Sequence, residues 1–189
     1  METMNIATSW KENRKAFYLN EKVNCMKASG FVRFGRDSEK LEDDDVWGTL
    51  DWGRGRWTRK NRWYWASCSG QLEGKKFGFN LGYGFTDRTP ATENVIFYNG
   101  KVHKLEIVDF GIPKEGYTAG PWIFTSNNDR LNLTFYPIVD RASNTDFKIV
   151  KSNQHQVFGK YSGTLVLDNG KVLTIKDFPG FAEDVYNKW

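Results

Sequence analysis

The chain has little of the chemistry that marks a metal centre or a secreted scaffold. Two cysteines, Cys25 and Cys68, and two histidines, His103 and His155, stand among 189 residues. Neither pair has metal-ligand spacing, and a zinc site needs three or four ligands, so no metal is expected. In a reducing compartment both cysteines stay thiols, and Cys68, inside strand-like text, reads as a small buried residue. No apolar run approaches the ~20 residues a membrane helix requires, which excludes a helical span. The opening METMNIATSWKENRK is polar and charged, without the apolar core of a signal peptide, and a cytoplasmic address is expected. Phosphate-binding glycine loops are also missing, because GFNLGYG lacks the strand-to-helix context of a dinucleotide site. No catalytic triad assembles from linear motifs, and no cofactor is expected.

What the chain does have is aromatic residues, 16% of the total, beside 39% hydrophobic and 26% charged residues. That composition, at this length, fits one domain with a real core, built from strands and not from a helical bundle. The richest stretch is Val46 to Gly70, VWGTLDWGRGRWTRKNRWYWASCSG. It carries five of the eight tryptophans and, within nine residues, Arg54, Arg56, Arg59, Lys60 and Arg62, with Asp51 as its lone acid. The net charge of +4 owes much to that cluster. An acidic run, Glu39, Glu42, Asp43, Asp44 and Asp45, lies just before it and reads as a solvated loop that neutralises its neighbour.

Taken in order, residues 14 to 34 read as a hairpin, with Phe17, Leu19, Val23 and Cys25 as a weak apolar alternation, followed by an acidic loop at 37 to 45. Val46 to Asp51 is a strand, Gly53-Arg54-Gly55 a bend, and Arg62 to Ser69 a strand. Alternation places Trp63, Trp65 and Ser67 on one face of that strand and Tyr64, Ala66 and Cys68 on the other. From Lys76 to Phe85, bulky residues share one parity, while Gly78, Asn80, Gly82 and Gly84 share the other. That bare face admits close approach of a backbone or ligand. Asn99-Gly100 is a strong two-residue hairpin signal and sets Ile96 opposite His103. Further strands follow at Trp122 to Ser126, Arg130 to Val139, Gln154 to Leu167 and Lys171 to Ile175. About ten strands joined by short turns predict an all-β antiparallel barrel or sandwich. Phe181, Val185 and Trp189, four residues apart, predict a C-terminal helix.

Several of these segments also carry a family resemblance. DWGRG, RWYWASCSG, NLGYGFTD, ATEN, HKL, SNQHQVFGKYSGT and FAEDVYNKW, in that order, resemble the domain-of-unknown-function 2804 family from about Lys22 to Trp189. That family resembles the calycin group of double-lipocalin proteins, which includes carotenoid hydratases and cofactor-free cyclases. The resemblance implies a lipocalin-like barrel of about eight to ten strands at 42 to 189, with residues 1 to 41 as a remnant of a preceding barrel. It also implies a homodimer or a preceding barrel domain as a candidate partner. The hydratase relatives carry an Asp-His-x-Trp-Gly signature followed by Trp-x-Trp. Here Asp51 and the Trp63-x-Trp65 pair match, whereas the histidine is absent and Trp52 follows the acid directly.

The candidate catalytic residues are therefore Asp51 as general acid, with Arg54 or His103 to polarise a substrate. Trp52, Trp57, Trp63 and Trp65 offer aromatic walls for a flat or long apolar ligand. Ser67, Asn80, Glu93, Asn94 and His155 are the candidate polar ligand contacts. Each has a structural alternative: Asp51 can brace an arginine, the tryptophans can be core, and a histidine on an apolar face is often a satisfied core residue. Three readings stay open. The first is a barrel that binds a lipophilic small molecule, the second a cofactor-free lyase or isomerase using Asp51. The third is a surface for single-stranded nucleic acid, where tryptophan and arginine would stack bases, and the adjacent acidic run speaks against it.

Overall fold

A computed structural model describes residues 1–41 and 46–189. The described residues form fourteen strands and no helix. In chain order these are β1 (Met4–Ser9), β2 (Phe17–Lys27), β3 (Gly30–Phe34), β4 (Asp37–Leu41), β5 (Trp47–Arg56), β6 (Lys60–Leu72) and β7 (Lys75–Tyr83). They continue with β8 (Val95–Tyr98), β9 (Lys101–Lys104), β10 (Val108–Gly111), β11 (Trp122–Ser126), β12 (Leu131–Asp146), β13 (Lys151–Val166) and β14 (Val172–Lys188). Nine of them make one antiparallel sheet in the order β10-β11-β12-β13-β14-β6-β7-β8-β9. The sheet curls until β10 returns to lie against β7, which makes it a half-barrel. A second sheet, β1-β2-β5, packs on its outer face, and β3 with β4 forms a separate hairpin.

The inside of the curl is filled with rings. Trp122, Phe124, Phe135, Phe79 and Tyr161 are fully buried, and ring centroids lie 4.5 Å apart for Phe135 and Tyr161 and 4.9 Å for Phe79 and Tyr161. Offset and edge-on contacts of this kind add roughly 0.5–1.5 kcal/mol per pair beyond the area they bury. Outside the curl, a second cluster joins Met4, Ile6, Trp10 and Tyr18 of the N-terminal segment to Val95 and Phe97 of β8.

Local patterns explain most of the strands. In β6, Tyr64, Ala66 and Cys68 face the main core, while Trp63, Trp65 and Ser67 face the three-stranded sheet, as the alternation requires. Asn99 and Gly100 take positive φ of 50° and 80°, the backbone of a type I′ turn, so Ile96 pairs with His103 as expected. The bare face of β7 is where β2 rests. A Cβ on Gly78 would lie 2.4 Å from the Cys68 carbonyl oxygen and 2.9 Å from Cys25 Sγ.

Five expectations are corrected. The last segment is not a helix but the 17-residue β14, hydrogen-bonded between β13 and β6. Residues four apart share a face in a strand as well as in a helix, so Phe181, Val185 and Trp189 fit both periods, and the two flanking strands decide the matter. Gly53-Arg54-Gly55 is not a bend but part of β5, paired with Asn20, Leu19 and Tyr18. Its glycines permit close approach, since a Cβ on Gly55 would lie 2.3 Å from the Phe17 carbonyl oxygen. Residues 37–41 form a strand of the β3–β4 hairpin and not the start of a loop. The rest of the expected acidic loop, Glu42 to Asp45, lies outside the described residues. Finally, residues 14 to 34 do not form a hairpin, because β2 pairs with β1 and β5 while β3 pairs with β4. Of the apolar alternation in β2, Phe17 and Leu19 are exposed and Cys25 buried, with Tyr18, Asn20, Lys22 and Asn24 turned inward.

The packing of β2 on β7 yields a direct expectation. Gly78→Ala pushes a methyl group against the Cys68 carbonyl of β6 and Cys25 Sγ of β2 and should destabilise the fold by about 1–3 kcal/mol in urea denaturation. An unchanged midpoint would contradict this packing.

Candidate functional site

The inverted polarity of β2 marks the candidate site. Lys22 is only 3% exposed, and its ammonium lies 2.7 Å from Asp51 Oδ2 on β5 and 3.9 Å from the ring centre of Trp65 on β6. A buried ammonium is costly unless it is neutralised, and here one neighbouring strand supplies the carboxylate and another a π face. Asn20 Nδ2 donates to Asp51 Oδ1 at 2.7 Å and to the Trp52 carbonyl at 2.9 Å. One turn of alternation further on, Asn24 Nδ2 donates to Ser67 Oγ at 2.8 Å and to the Cys68 carbonyl at 3.0 Å, stitching the two sheets together.

Around this pair a cleft of about 310 Å3 opens between the sheets. Tyr18, Trp57, Trp63 and Phe85 form its aromatic walls, with Trp57 stacked on Phe85 at 5.2 Å and edge-on to Trp63 at 5.6 Å. Glu93 and Glu183 bring two further carboxyls. Glu183 Oε1 accepts from Trp63 Nε1 at 2.9 Å and its Oε2 from Gln156 Nε2 at 3.2 Å. Trp65 Nε1 donates to Asn80 Oδ1 at 2.7 Å, and Asn80 Nδ2 donates to the Glu93 carbonyl at 3.0 Å. Glu93 itself is 6% exposed, and its Oε2 has no hydrogen-bond partner among the described residues. Gly82 makes room for it, because a Cβ there would lie 2.0 Å from Glu93 Oε1.

The electrostatics follow from burial. Loss of solvent pushes Glu93 above the ordinary carboxyl range, opposed by the Lys22 charge and reinforced by that of Asp51. Burial likewise pushes Glu183 up, opposed by its hydrogen bonds from Trp63 and Gln156. Tyr18 is pushed up by burial and by the Glu93 and Asp51 charges. Both thiols rise as well, Cys25 to about 11, which leaves them unreactive near neutral pH. Among the described residues no three His, Cys, Asp or Glu side chains cluster in a way that holds a metal ion.

The sequence-derived candidates separate into four places. Asp51, Trp63, Trp65 and Glu93 line the cleft, and Ser67 and Asn80 brace it from behind. Asn94 ties the same region together, its Oδ1 accepting from the Gly82 amide at 2.7 Å and its Nδ2 donating to the Glu106 carbonyl at 2.7 Å. Trp52 and Arg54 sit on the opposite face of β5, exposed to solvent, because they alternate with Asp51 and Gly53. His103 pairs with Asp168 at 3.2 Å, beside the Arg130–Asp168 ion pair. His155 stacks on Tyr117 at 3.9 Å and contacts Asp140 at 2.7 Å. A larger depression of about 910 Å3 near Arg88, Lys104 and Asp168 is open. On its rim Asp87, Arg130 and Asp168 are in ion pairs and Lys104 donates to the Thr92 carbonyl, while Arg88 Nη1 has no hydrogen-bond partner among the described residues.

Lys22, Asn20, Tyr18 and Glu183 belong to the site and were not among the sequence candidates. The polar series Asn20-x-Lys22-x-Asn24 was the available signal, since it has strand period and Tyr18 shares its parity. Glu183 was hidden by the helical reading of β14. As a strand residue it stands opposite Trp65.

The fold and the cleft define an antiparallel, curled β-sheet protein with an aromatic and acidic crevice on its outer face. The chain matches the family described as Domain of unknown function (DUF2804) over residues 1–189, and it belongs to that family. No curated protein and no solved structure matches it.

Ionisation of Glu93 should be visible in stability. The folded protein holds this proton more tightly than the unfolded chain. Glu93 therefore carries no penalty below the unfolded value, about 4.5, and a growing one as pH rises from there through the folded value. In chemical denaturation, Glu93→Gln should match the parent near pH 4 and gain on it as pH rises above about 4.5, levelling off once Glu93 is ionised in the folded protein. A difference that does not vary with pH would contradict this environment.

Proposed function

We propose that the protein binds a small, partly apolar molecule in the cleft between its two packed sheets. The observation that carries this reading is the lining itself. Five aromatic side chains surround a few convergent polar groups, one of them a buried carboxyl oxygen without a hydrogen-bond partner among the described residues. Specific small-molecule sites have this character, and about 310 Å3 is at the small end of their usual size. The interior of the half-barrel is an unsuitable alternative, because its rings already pack against one another. A lipophilic ligand would therefore sit against Trp57 and Trp63, outside the curl, and not along a barrel axis.

Native mass spectrometry of the purified protein, with organic extraction, tests this reading. The expected result is a co-purifying small molecule whose binding changes tryptophan emission and weakens about tenfold or more in Trp63→Ala. Capture that Trp63→Ala leaves unchanged would argue against the cleft.

A second reading is acid–base chemistry in the same place. Asp51 reaches the cleft from β5 and Glu93 from the segment just before β8, Asp51 held by Lys22 and Asn20, Glu93 buried and pushed up. Two carboxyls in such different surroundings are the arrangement that separates a base from an acid. Under this reading Asp51→Asn retains binding and loses turnover of the captured molecule. Binding that never leads to conversion favours the carrier.

A further inference from the structure

The cleft has a charge balance that selects among ligands. Its lining contains one ammonium, Lys22, and three carboxyls, those of Asp51, Glu93 and Glu183. Lys22 is already matched by Asp51 and by the face of Trp65. Glu183 accepts hydrogen bonds from neutral donors only, and Glu93 Oε2, on a side chain more than nine-tenths buried, has no partner among the described residues. Among the described residues neither glutamate forms an ion pair of its own, and both stand beside rings whose faces attract positive charge.

On the reading that this cleft is the binding site, we propose that its ligand is a small organic cation carrying an alkylated ammonium group. The ammonium would sit between the aromatic walls and Glu93. Lys22 is an internal precedent, since it is a cation already held in this crevice by one ring and one carboxylate. An anionic ligand would meet Asp51 and two acidic neighbours, and a wholly apolar one would seal Glu93 Oε2 away from any partner. An alkylated ammonium is weakly hydrated and loses little on entering such a site.

Protonation should control this binding. The groups that act on Glu93 are Lys22 and Tyr18 from β2, Asp51 from β5 and Lys104 from β9. Those that act on Glu183 are Lys22 and Asp51. Both glutamates are pushed up by burial, so at low pH they are neutral and offer a cation little. Their ionisation as pH rises strengthens the site, and a bound cation favours proton release.

The test uses the full chain and two probes of nearly equal shape, choline and its neutral analogue 3,3-dimethylbutan-1-ol, followed by tryptophan fluorescence. Choline should bind at least about tenfold more tightly at pH 8, a margin of the size that a desolvated cation–π contact supplies. The margin should shrink at pH 5 and be lost in Glu93→Gln, whose fold is checked by circular dichroism. Equal binding of both probes, or binding of the alcohol alone, overturns the cation assignment and leaves the cleft as a binding site. Response to neither probe overturns the assignment, and an empty native mass spectrum then overturns the binding reading as well. Phosphatidylcholine vesicles separate a free ammonium ion from a lipid head group. Co-sedimentation without choline binding contradicts the free ion that a crevice of this size and charge favours.

Discussion

A lysine buried between two β-sheets has to be neutralised where it stands. Lys22 meets that requirement with a carboxylate from one adjacent strand and an indole face from the sheet opposite. Each of those groups is placed by something else. Asp51 is held by Asn20 from the same strand as Lys22, and Trp65 is anchored through its indole nitrogen to Asn80 on β7. Asn80 in turn holds the backbone of Glu93. The chain of contacts runs from the three-stranded sheet across the nine-stranded one, so the site and the seam between the sheets are the same structure. A buried ion pair adds little net stability, because desolvation offsets most of the attraction. Its effect here is positional: it fixes which face of β2 turns inward.

The same seam separates two tasks. Inside the curl, aromatic rings pack tightly and leave the half-barrel as scaffold. Outside, the bare face of β7 lets β2 come close at Gly78 and admits the Glu93 side chain at Gly82. One strand therefore presents a filled core on one side and a polar crevice on the other. The two faces follow from a single alternation of large residues with glycine and asparagine.

Much of this was legible in the sequence. The all-β antiparallel class, the two faces of β6, the bulky and bare faces of β7 and the register set by Asn99-Gly100 all follow from period two and turn chemistry. Asp51, Trp63, Trp65 and Glu93 were recognisable as candidates from residue type. The orientation of β2 was not, because an apolar alternation of Phe17, Leu19 and Val23 normally marks a core face. Here tertiary contacts hold the polar set inside, and residues 43 to 45 positions away, Ser67, Cys68 and Ser69, supply the partners of Asn24 and Cys25. The helix expected at the C-terminus failed for a related reason. Spacing by four does not distinguish helix from strand, and only the neighbouring strands settle it.

The central claim is that the functional face of this protein is the outer, β2-facing side of the nine-stranded sheet and not the interior of its curl. The most direct measurement is a map of intermolecular NOEs between the bound molecule and the aromatic ring protons of the protein. The account predicts contacts to Trp57 and Trp63 and none to Trp122 or Tyr161. Contacts to Trp122 or Tyr161, within the filled curl, would contradict it.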